Sequence, residues 1–161
     1  MKFWDTSALV PLLVTEPATA ATMNLFRADP AIMVAWTTAV DCASAIARAE
    51  HEGLLDQEET SDAFARLDDL ARTWREVEPT DGVRDAARRF LRVHRLRAAD
   101  AIQLGAATLA AERHPASLTV VTLDDRLEAA ALKEGFPVIV PGRVKPAPPG
   151  SPSGASSGSA E

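Results

Sequence analysis

The chain has 161 residues, is 47% hydrophobic and carries a formal net charge of −6 at pH 7. This length suffices for one domain with a buried core, and the hydrophobic content excludes a chain that is disordered throughout. The negative charge argues against nonspecific nucleic-acid binding by bulk attraction. No apolar run approaches the ~20 residues that span a bilayer, and the single cysteine, Cys42, excludes an internal disulfide and suits a reducing cytoplasm.

Short apolar segments alternate along the chain with segments of helical periodicity. Predicted strands cover residues 1–4, 32–36, 75–78, 118–122 and 137–140. Predicted helices cover residues 7–14, a segment from 15–17 to about 29, 38–52, 57–74, a segment that follows Thr80, 98–113 and 126–134. This alternation implies a short parallel sheet with helices on both faces, an α/β/α sandwich.

The composition changes at Gly142. Of the last 20 residues, 13 are glycine, proline or serine, and none is aromatic. Such a segment buries too little apolar surface to offset the entropy of ordering it. The sequence therefore predicts one domain over residues 1–141 and a disordered tail over 142–161.

Four aspartates stand where an apolar segment gives way to a helix: Asp5, Asp41, Asp100 and Asp124. Because parallel strands present their carboxyl ends at one edge of the sheet, we expect these acids to lie close together there. Carboxylate oxygens are the ligands that hard divalent cations prefer. Neighbouring hydroxyls could orient a metal-bound water or a phosphate oxygen, and they belong to Thr6, Ser7 and Thr122.

Each aspartate also has an ordinary structural explanation. Asp5 and Asp124 could cap helix N-termini, Asp41 could complete a capping box with Thr38, and Asp100 suits the first turn of a helix. Four such acids at one sheet edge weaken this explanation, because crowded carboxylates repel one another and raise each other's pKa. A bound divalent cation would resolve that conflict.

Arginines are concentrated just before Asp100. On a helix that begins after Thr80, one stripe at three- and four-residue spacing contains Arg84, Arg88, Arg92 and Arg95, and Arg97 follows it. The buried face of this helix would consist of Val83, Ala87, Phe90 and Leu91. A solvated surface is the ordinary interpretation of a charged stripe, but its position next to Asp100 favours contact with phosphate groups.

Four sequence segments, in order, resemble the PIN-domain ribonucleases and, among them, the VapC-type toxins of bacterial toxin–antitoxin pairs. The segments are DTSALV, TTAVDCASAIARAEHEG, AADAIQLGAA and TLDDRLEAAALKEGFPVI, and the resemblance covers about residues 1–141. It implies that Asp5, Asp41, Asp100 and Asp124 are the metal-binding catalytic acids, with Mg²⁺ or Mn²⁺ as the cofactor. The family usually has glutamate where this chain has the shorter Asp41, which would reach the metal directly or through a water.

The resemblance also implies an activity and partners. We expect a metal-dependent endoribonuclease in which a metal-activated water attacks phosphorus and leaves 5′-phosphate and 3′-hydroxyl ends. A small antitoxin would hold the toxin inactive by covering the acidic site. The toxins of this family commonly form homodimers.

Two other functions fit parts of the sequence. A receiver-like domain or aspartyl-phosphate phosphatase would use Asp5 as a nucleophile, but it needs a lysine near the phosphate. Lys2 and Lys133, the lysines of the predicted domain, do not end an apolar strand. In a non-catalytic interaction module, the acids would be purely structural and Mg²⁺ would not stabilise the protein.

Overall fold

Five parallel strands form the centre of the structure, a computed structural model that describes residues 1–143. The strands are β1 (Lys2–Trp4), β2 (Ile32–Ala35), β3 (Arg75–Val77), β4 (Val120–Val121) and β5 (Val138–Ile139). Their order in the sheet is β3-β2-β1-β4-β5. The predicted parallel sheet is confirmed, although most strands are shorter than the apolar segments that predicted them.

The first strand lies in the middle of the sheet. Phe3 pairs with Met33 of β2 on one side and with Val120 of β4 on the other. All the strands run in the same direction, so β1, β2 and β4 end at the same edge. This register brings the segments that follow them, which begin at Asp5, Trp36 and Thr122, to that edge.

Helices cover both faces of the sheet. Within residues 1–143 they are α1 (Thr6–Leu13), α2 (Thr19–Ala28), α3 (Thr38–His51), α4 (Gln57–Ala71), α5 (Asp81–Val93), α6 (Ala98–Ala110) and α7 (Asp125–Lys133). None of these helices is long and apolar enough to cross a membrane. The second helix begins at Thr19, later than predicted. The Thr19 hydroxyl donates hydrogen bonds to the carbonyls of Pro11 and Val14 at the end of α1.

Alternating strand side chains separate two hydrophobic cores. Phe3 and Val120 point to the core that contains α5, α6 and α7, whereas Trp4 and Val121 point to the core that contains α1, α3 and α4. This alternation is the period-two geometry of a strand. The predicted α/β/α sandwich is therefore confirmed.

The helices α5 and α6 approach each other closely at Gly105. A Cβ atom at this position would stand 2.8 Å from the carbonyl oxygen of Val83 and 3.2 Å from the backbone nitrogen of Ala87. No other residue type fits a crossing this tight without moving a backbone. The crossing fixes α6, which carries Asp100 at its start.

The arginine-rich helix α5 differs from its prediction in two respects. It ends at Val93 and His94 is its C-cap, so Arg95 lies beyond the helix and not on its stripe. Val83, Ala87 and Phe90 are buried as predicted, but Leu91 is 44% exposed and its predicted burial is wrong. Leu91 borders an apolar surface groove instead of entering the core.

Residues 142 and 143 follow the predicted domain, which ends at residue 141. The predicted tail, 142–161, lies outside the described residues except for its first two. Of these, Arg143 forms ion pairs with Glu128 of α7, at 2.5 Å, and with Asp125, at 3.1 Å. Contacts of the domain therefore extend at least to Arg143.

Candidate active site

A cleft of about 260 Å³ opens where β1 and β4 end and α3 and α6 begin. Its lining includes side chains of opposite charge, the carboxylates of Asp5, Asp41, Asp100 and Asp124 and the guanidinium groups of Arg48 and Arg97. The four predicted acids come from four different elements of the chain, yet the fold places them around one cleft. The predicted residues Thr6 and Ser7 also line it.

Asp5 is the most buried of the four acids, with 4% of its surface exposed. One carboxylate oxygen, Oδ2, accepts hydrogen bonds from the Ser7 backbone N–H at 3.2 Å, the Ser7 hydroxyl at 2.5 Å and the Thr122 hydroxyl at 3.0 Å. Among the described residues, none donates to the other oxygen, Oδ1. Asp5 therefore caps α1 with one oxygen, whereas the other has no donor among the described residues.

The environment of Asp5 opposes its ionisation. Burial raises the pKa of Asp5 from its ordinary value to about 6, against the hydrogen bonds from Ser7 and Thr122, which lower it. The nearby charge of Asp100 raises this pKa further. Because burial is the main cause of this shift, the ionised form of Asp5 lacks solvation, and a cation bound beside it would stabilise that form.

The hydroxyl groups beside Asp5 connect two strand ends. The Ser7 hydroxyl accepts a hydrogen bond from the Leu123 backbone N–H at 2.8 Å. The Thr122 hydroxyl accepts one from the Asp124 backbone N–H at 3.0 Å. Both hydroxyls donate to Asp5, so they hold the segments after β1 and β4 in register around the carboxylate.

Asp124 and Asp100 begin helices. Oδ1 of Asp124 accepts hydrogen bonds from the backbone N–H groups of Arg126, at 2.8 Å, and Leu127, at 2.9 Å, which caps α7. Oδ2 of Asp100 accepts one from the Arg97 backbone N–H, at 3.1 Å. The capping explanation is thus confirmed for Asp5 and Asp124. It leaves one oxygen of each acid outside the cap, and in Asp124 this oxygen, Oδ2, forms an ion pair with Arg126 at 3.7 Å.

The capping box predicted between Thr38 and Asp41 is wrong. Thr37 is the N-cap of α3, without a side-chain hydrogen bond to the helix, and Thr38 is fully buried in the first turn. Asp41 instead lies 3.4 Å, through Oδ2, from the side-chain nitrogen of Gln103 on α6. Tertiary contact with another helix has replaced the local contact that the sequence pattern suggests.

Two arginines supply positive charge to the cleft. Arg97 was predicted, whereas Arg48 was missed, although it stands seven residues after Asp41 and so shares its helix face. Neither guanidinium forms an ion pair with a carboxylate of residues 1–143 within 4 Å. Both are therefore available to an anionic ligand.

The other predicted arginines lie elsewhere. Arg84 pairs with Asp81 at 2.6 Å, and Arg88 and Arg92 border a surface groove of α5 together with Asp85. Of the predicted arginines, the structure brings only Arg97 to the cleft. The predicted continuous path from the stripe to Asp100 is interrupted where α5 ends.

The four acids share a cleft without meeting at one point. Within residues 1–143, no three histidine, cysteine, aspartate or glutamate side chains stand close enough together to form a metal site. The four carboxylates therefore lie in one cleft but less close together than the sequence predicts. Each of them contacts hydrogen-bond donors of its own. The donor set, four carboxylates with excess negative charge around Asp5, nevertheless fits a hard divalent cation.

Comparison with known proteins places this architecture in a family. The sequence profile of the PIN domain family matches residues 2–133. The chain belongs to the PIN-domain family. Two relatives from Mycobacterium tuberculosis strains, Ribonuclease VapC45 and Ribonuclease VapC49, are each 30% identical to it over 144 residues, which cover 89% of this chain and 97% of the relative. The resemblance to VapC-type proteins that the four segments suggested is therefore confirmed.

Solved structures share the fold of this PIN domain. A toxin–antitoxin complex from Klebsiella pneumoniae contains a chain with a TM-score of 0.60 and 18% identity, covering 89% of this chain and all of the other. A structure of FitAB bound to a DNA fragment has a TM-score of 0.63 and 17% identity, covering 90% and 98%. At these identities, the likeness supports the fold alone.

Proposed function

We propose that this PIN-domain protein is a Mg²⁺-dependent endoribonuclease and the toxin of a toxin–antitoxin pair. The observation that carries the proposal is the cleft, where carboxylates from four elements face two arginines that lack ion pairs among the described residues. The VapC relatives, named as ribonucleases at 30% identity over nearly their whole length, support the same activity.

The carboxylates would hold the metal. Asp5, Asp100 and Asp124 each have an oxygen outside their capping hydrogen bonds, and Asp41 lines the same cleft. When bound there, Mg²⁺ or Mn²⁺ lowers the pKa of a coordinated water and neutralises charge on a phosphate. The donor hydroxyls of Ser7 and Thr122 keep Asp5 oriented towards this ligand.

The arginines would position the substrate. Arg48 and Arg97 stand at the wall formed by α3 and α6, where a phosphodiester beside the acids would otherwise be repelled. Arginine suits this role because its planar group donates paired hydrogen bonds to phosphate oxygens. The RNA would then be cleaved by water, with a 5′-phosphate and a 3′-hydroxyl as the new ends.

The residues that line the cleft do not support the alternative of a receiver-like domain or aspartyl-phosphate phosphatase. Within the described part of the chain, the basic residues that line the cleft are arginines, and no lysine is among them. A non-catalytic module remains the competing outcome of the experiments. A cognate antitoxin and a homodimer are further parts of the proposal, to be measured by inhibition of cleavage and by light scattering.

Cleavage assays on the purified chain test the proposal. The wild type should cut single-stranded RNA with Mg²⁺ and not with EDTA, and the products should be substrates for a 5′-phosphate-dependent exonuclease. Asp5→Asn and Asp100→Asn should remove the activity. The matched control is Asp125→Asn, since the side chain of Asp125 is 86% exposed and lies outside the cleft lining. Equal activity in Asp5→Asn and the wild type would refute the proposal.

A further inference from the structure

Gln103 is an amide side chain in the middle of a buried, alanine-rich helix face. Only 2% of its surface is exposed, and its neighbours Leu104, Ala106 and Ala107 belong to the hydrophobic core. Nevertheless, it lines the acidic cleft. We infer that Gln103 is a positioning residue of the cleft, whose amide holds the Asp41 carboxylate in place; this inference rests on the proposed function.

The amide nitrogen of Gln103 joins three helices. Nε2 lies 3.1 Å from the Thr6 hydroxyl of α1, 3.2 Å from the Thr38 hydroxyl of α3 and 3.4 Å from Oδ2 of Asp41. A hydroxyl can donate or accept, but an ionised carboxylate can only accept. Asp41 therefore dictates that Gln103 presents its N–H groups, not its oxygen, towards α3.

The amide oxygen of Gln103 accepts no hydrogen bond from residues 1–143, although it is buried. An unpaired buried acceptor costs free energy of folding, and an apolar side chain of the same shape would avoid that cost. The oxygen therefore gives no reason for a glutamine at this position, so the reason lies in the N–H groups, which donate to Thr6, Thr38 and Asp41. Of these three partners, the Asp41 carboxylate is the one that can only accept and so requires a donor.

Asp41 depends on this donor for its orientation. Among the described residues, Gln103 is the one side chain that donates a hydrogen bond to it. The acid next to it in the cleft, Asp5, has three donors. Without Gln103, the Asp41 carboxylate would be free to rotate away from the other acids, and groups that orient ligands in this way commonly affect affinity and activity about 10–100-fold.

A double-mutant cycle tests the inference in the full chain. Gln103→Met keeps the length of the side chain and removes its donors. We expect it to lower kcat for RNA about tenfold, to leave KM within about twofold and to weaken Mn²⁺ binding measured by calorimetry. Against Asp41→Ala, the same substitution should have no further effect, because the residue through which it acts is gone.

A matched control separates positioning from packing. Thr22 on α2 is fully buried and its hydroxyl has no partner among the described residues, so Thr22→Val also removes an unpaired polar group. Thr22→Val should melt at or above the wild-type temperature, whereas Gln103→Met should melt somewhat lower because the buried Thr38 hydroxyl loses its donor. Both should be folded at the assay temperature, and only Gln103→Met should lose activity. Wild-type activity in Gln103→Met, or an equal loss with and without Asp41, would overturn the inference.

A third measurement does not depend on catalysis. Asp41→Ala should shift the side-chain amide resonances of Gln103 in nitrogen–proton spectra, whereas Thr22→Val should not. If the wild type neither cuts RNA nor binds Mn²⁺, the proposed function fails, and these resonances still decide the contact. Unchanged Gln103 resonances in Asp41→Ala would refute the positioning role by themselves.

Discussion

The charge of Asp100 on α6 raises the pKa of Asp5 at the end of β1, across the cleft and across 95 positions of sequence. Burial acts in the same direction and is the larger cause. The fold therefore holds Asp5 in an environment that disfavours its ionised form. Burying the ionised carboxylate lowers the free energy of unfolding, whereas a bound cation would stabilise the ionised form. Measuring stability against pH in the absence of metal isolates the cost of burial.

Asp5→Asn should stabilise the protein at neutral pH. Because the pKa of Asp5 is raised to about 6 in the folded state, the burial cost is absent at low pH, where Asp5 is protonated in both states. This burial cost develops as the pH rises from about 4 to 6, and it is fully present above pH 6. A pKa rise of this size corresponds to about 3 kcal/mol at most. Urea unfolding of the variant and the wild type from pH 4 to 8 measures the difference.

Asp29→Asn provides a control of opposite sign. Hydrogen bonds from Lys2 and the N-terminal amine lower the pKa of Asp29, so its contribution to stability is present at neutral pH and lost in acid. This variant should be less stable than the wild type at pH 7, and the gap should close on acidification. If Asp5→Asn were also less stable than the wild type at pH 7, burial would not be disfavouring the ionised form of Asp5.

Asp41→Glu should keep or increase the cleavage activity. The longer side chain has the length usual in PIN-domain nucleases and extends further into the cleft that Asp41 already lines. Metal affinity, measured by calorimetry with Mn²⁺, should stay equal or become tighter. A severe loss of activity would show that the cleft is adapted to the shorter acid and to its contact with Gln103.

The arginines of the cleft should matter more for RNA binding than those of α5. Replacing Arg48 and Arg97 with alanine removes two positive charges beside the acids, so KM should rise and binding should become less dependent on salt. Each lost phosphate contact lowers the salt slope by roughly 0.7 for single strands. Cleavage rates against RNA concentration at two salt levels measure both quantities.

The charge-matched comparison is the replacement of Arg88 and Arg92 with alanine. These residues border a separate groove of α5, so we expect a smaller change in KM and in the salt slope. Stability should change little in either pair, because exposed arginines contribute weakly to it. A larger effect in the α5 pair would place the main RNA path along that helix and not at the cleft wall.

Gly105→Ala should destabilise the protein although alanine favours helices. The added methyl group would collide with the backbone of Val83, and overpacking of this kind costs about 1–3 kcal/mol. Gly82→Ala on the facing helix is the control, because its new methyl group would meet the flexible end of the Leu109 side chain. Thermal unfolding should show a lower melting temperature for Gly105→Ala alone, and equal values would contradict the tight crossing.

The sequence predicted those parts of the molecule that local patterns determine. Alternating apolar segments identified the five parallel strands, and aspartates at helix starts identified the acids of the cleft. It did not predict that Asp41 contacts Gln103, because that hydrogen bond joins residues 62 positions apart. A glutamine within an otherwise apolar helix, three residues after Asp100, was the available signal.

The predicted end of the arginine-rich helix was wrong for a related reason. The spacing of the arginines predicts a helix that continues to Arg95, whereas α5 ends at Val93. At this end, His94 is held by Glu134 of the segment after α7, at 2.7 Å, and Arg89 binds the same carboxylate. The end of the helix thus lies at a contact with a distant residue, which no local pattern of charges reveals.

The central position of β1 has a consequence for how the protein is made. This strand is synthesised before the other four, yet one of its two neighbours, β4, follows it by more than a hundred residues. Pairings between such distant segments close late in folding. Thr122, which donates to Asp5, and Asp124 arrive with β4, so an unfinished chain has no complete cleft. Translation thus delays assembly of the acidic site until nearly the whole domain exists.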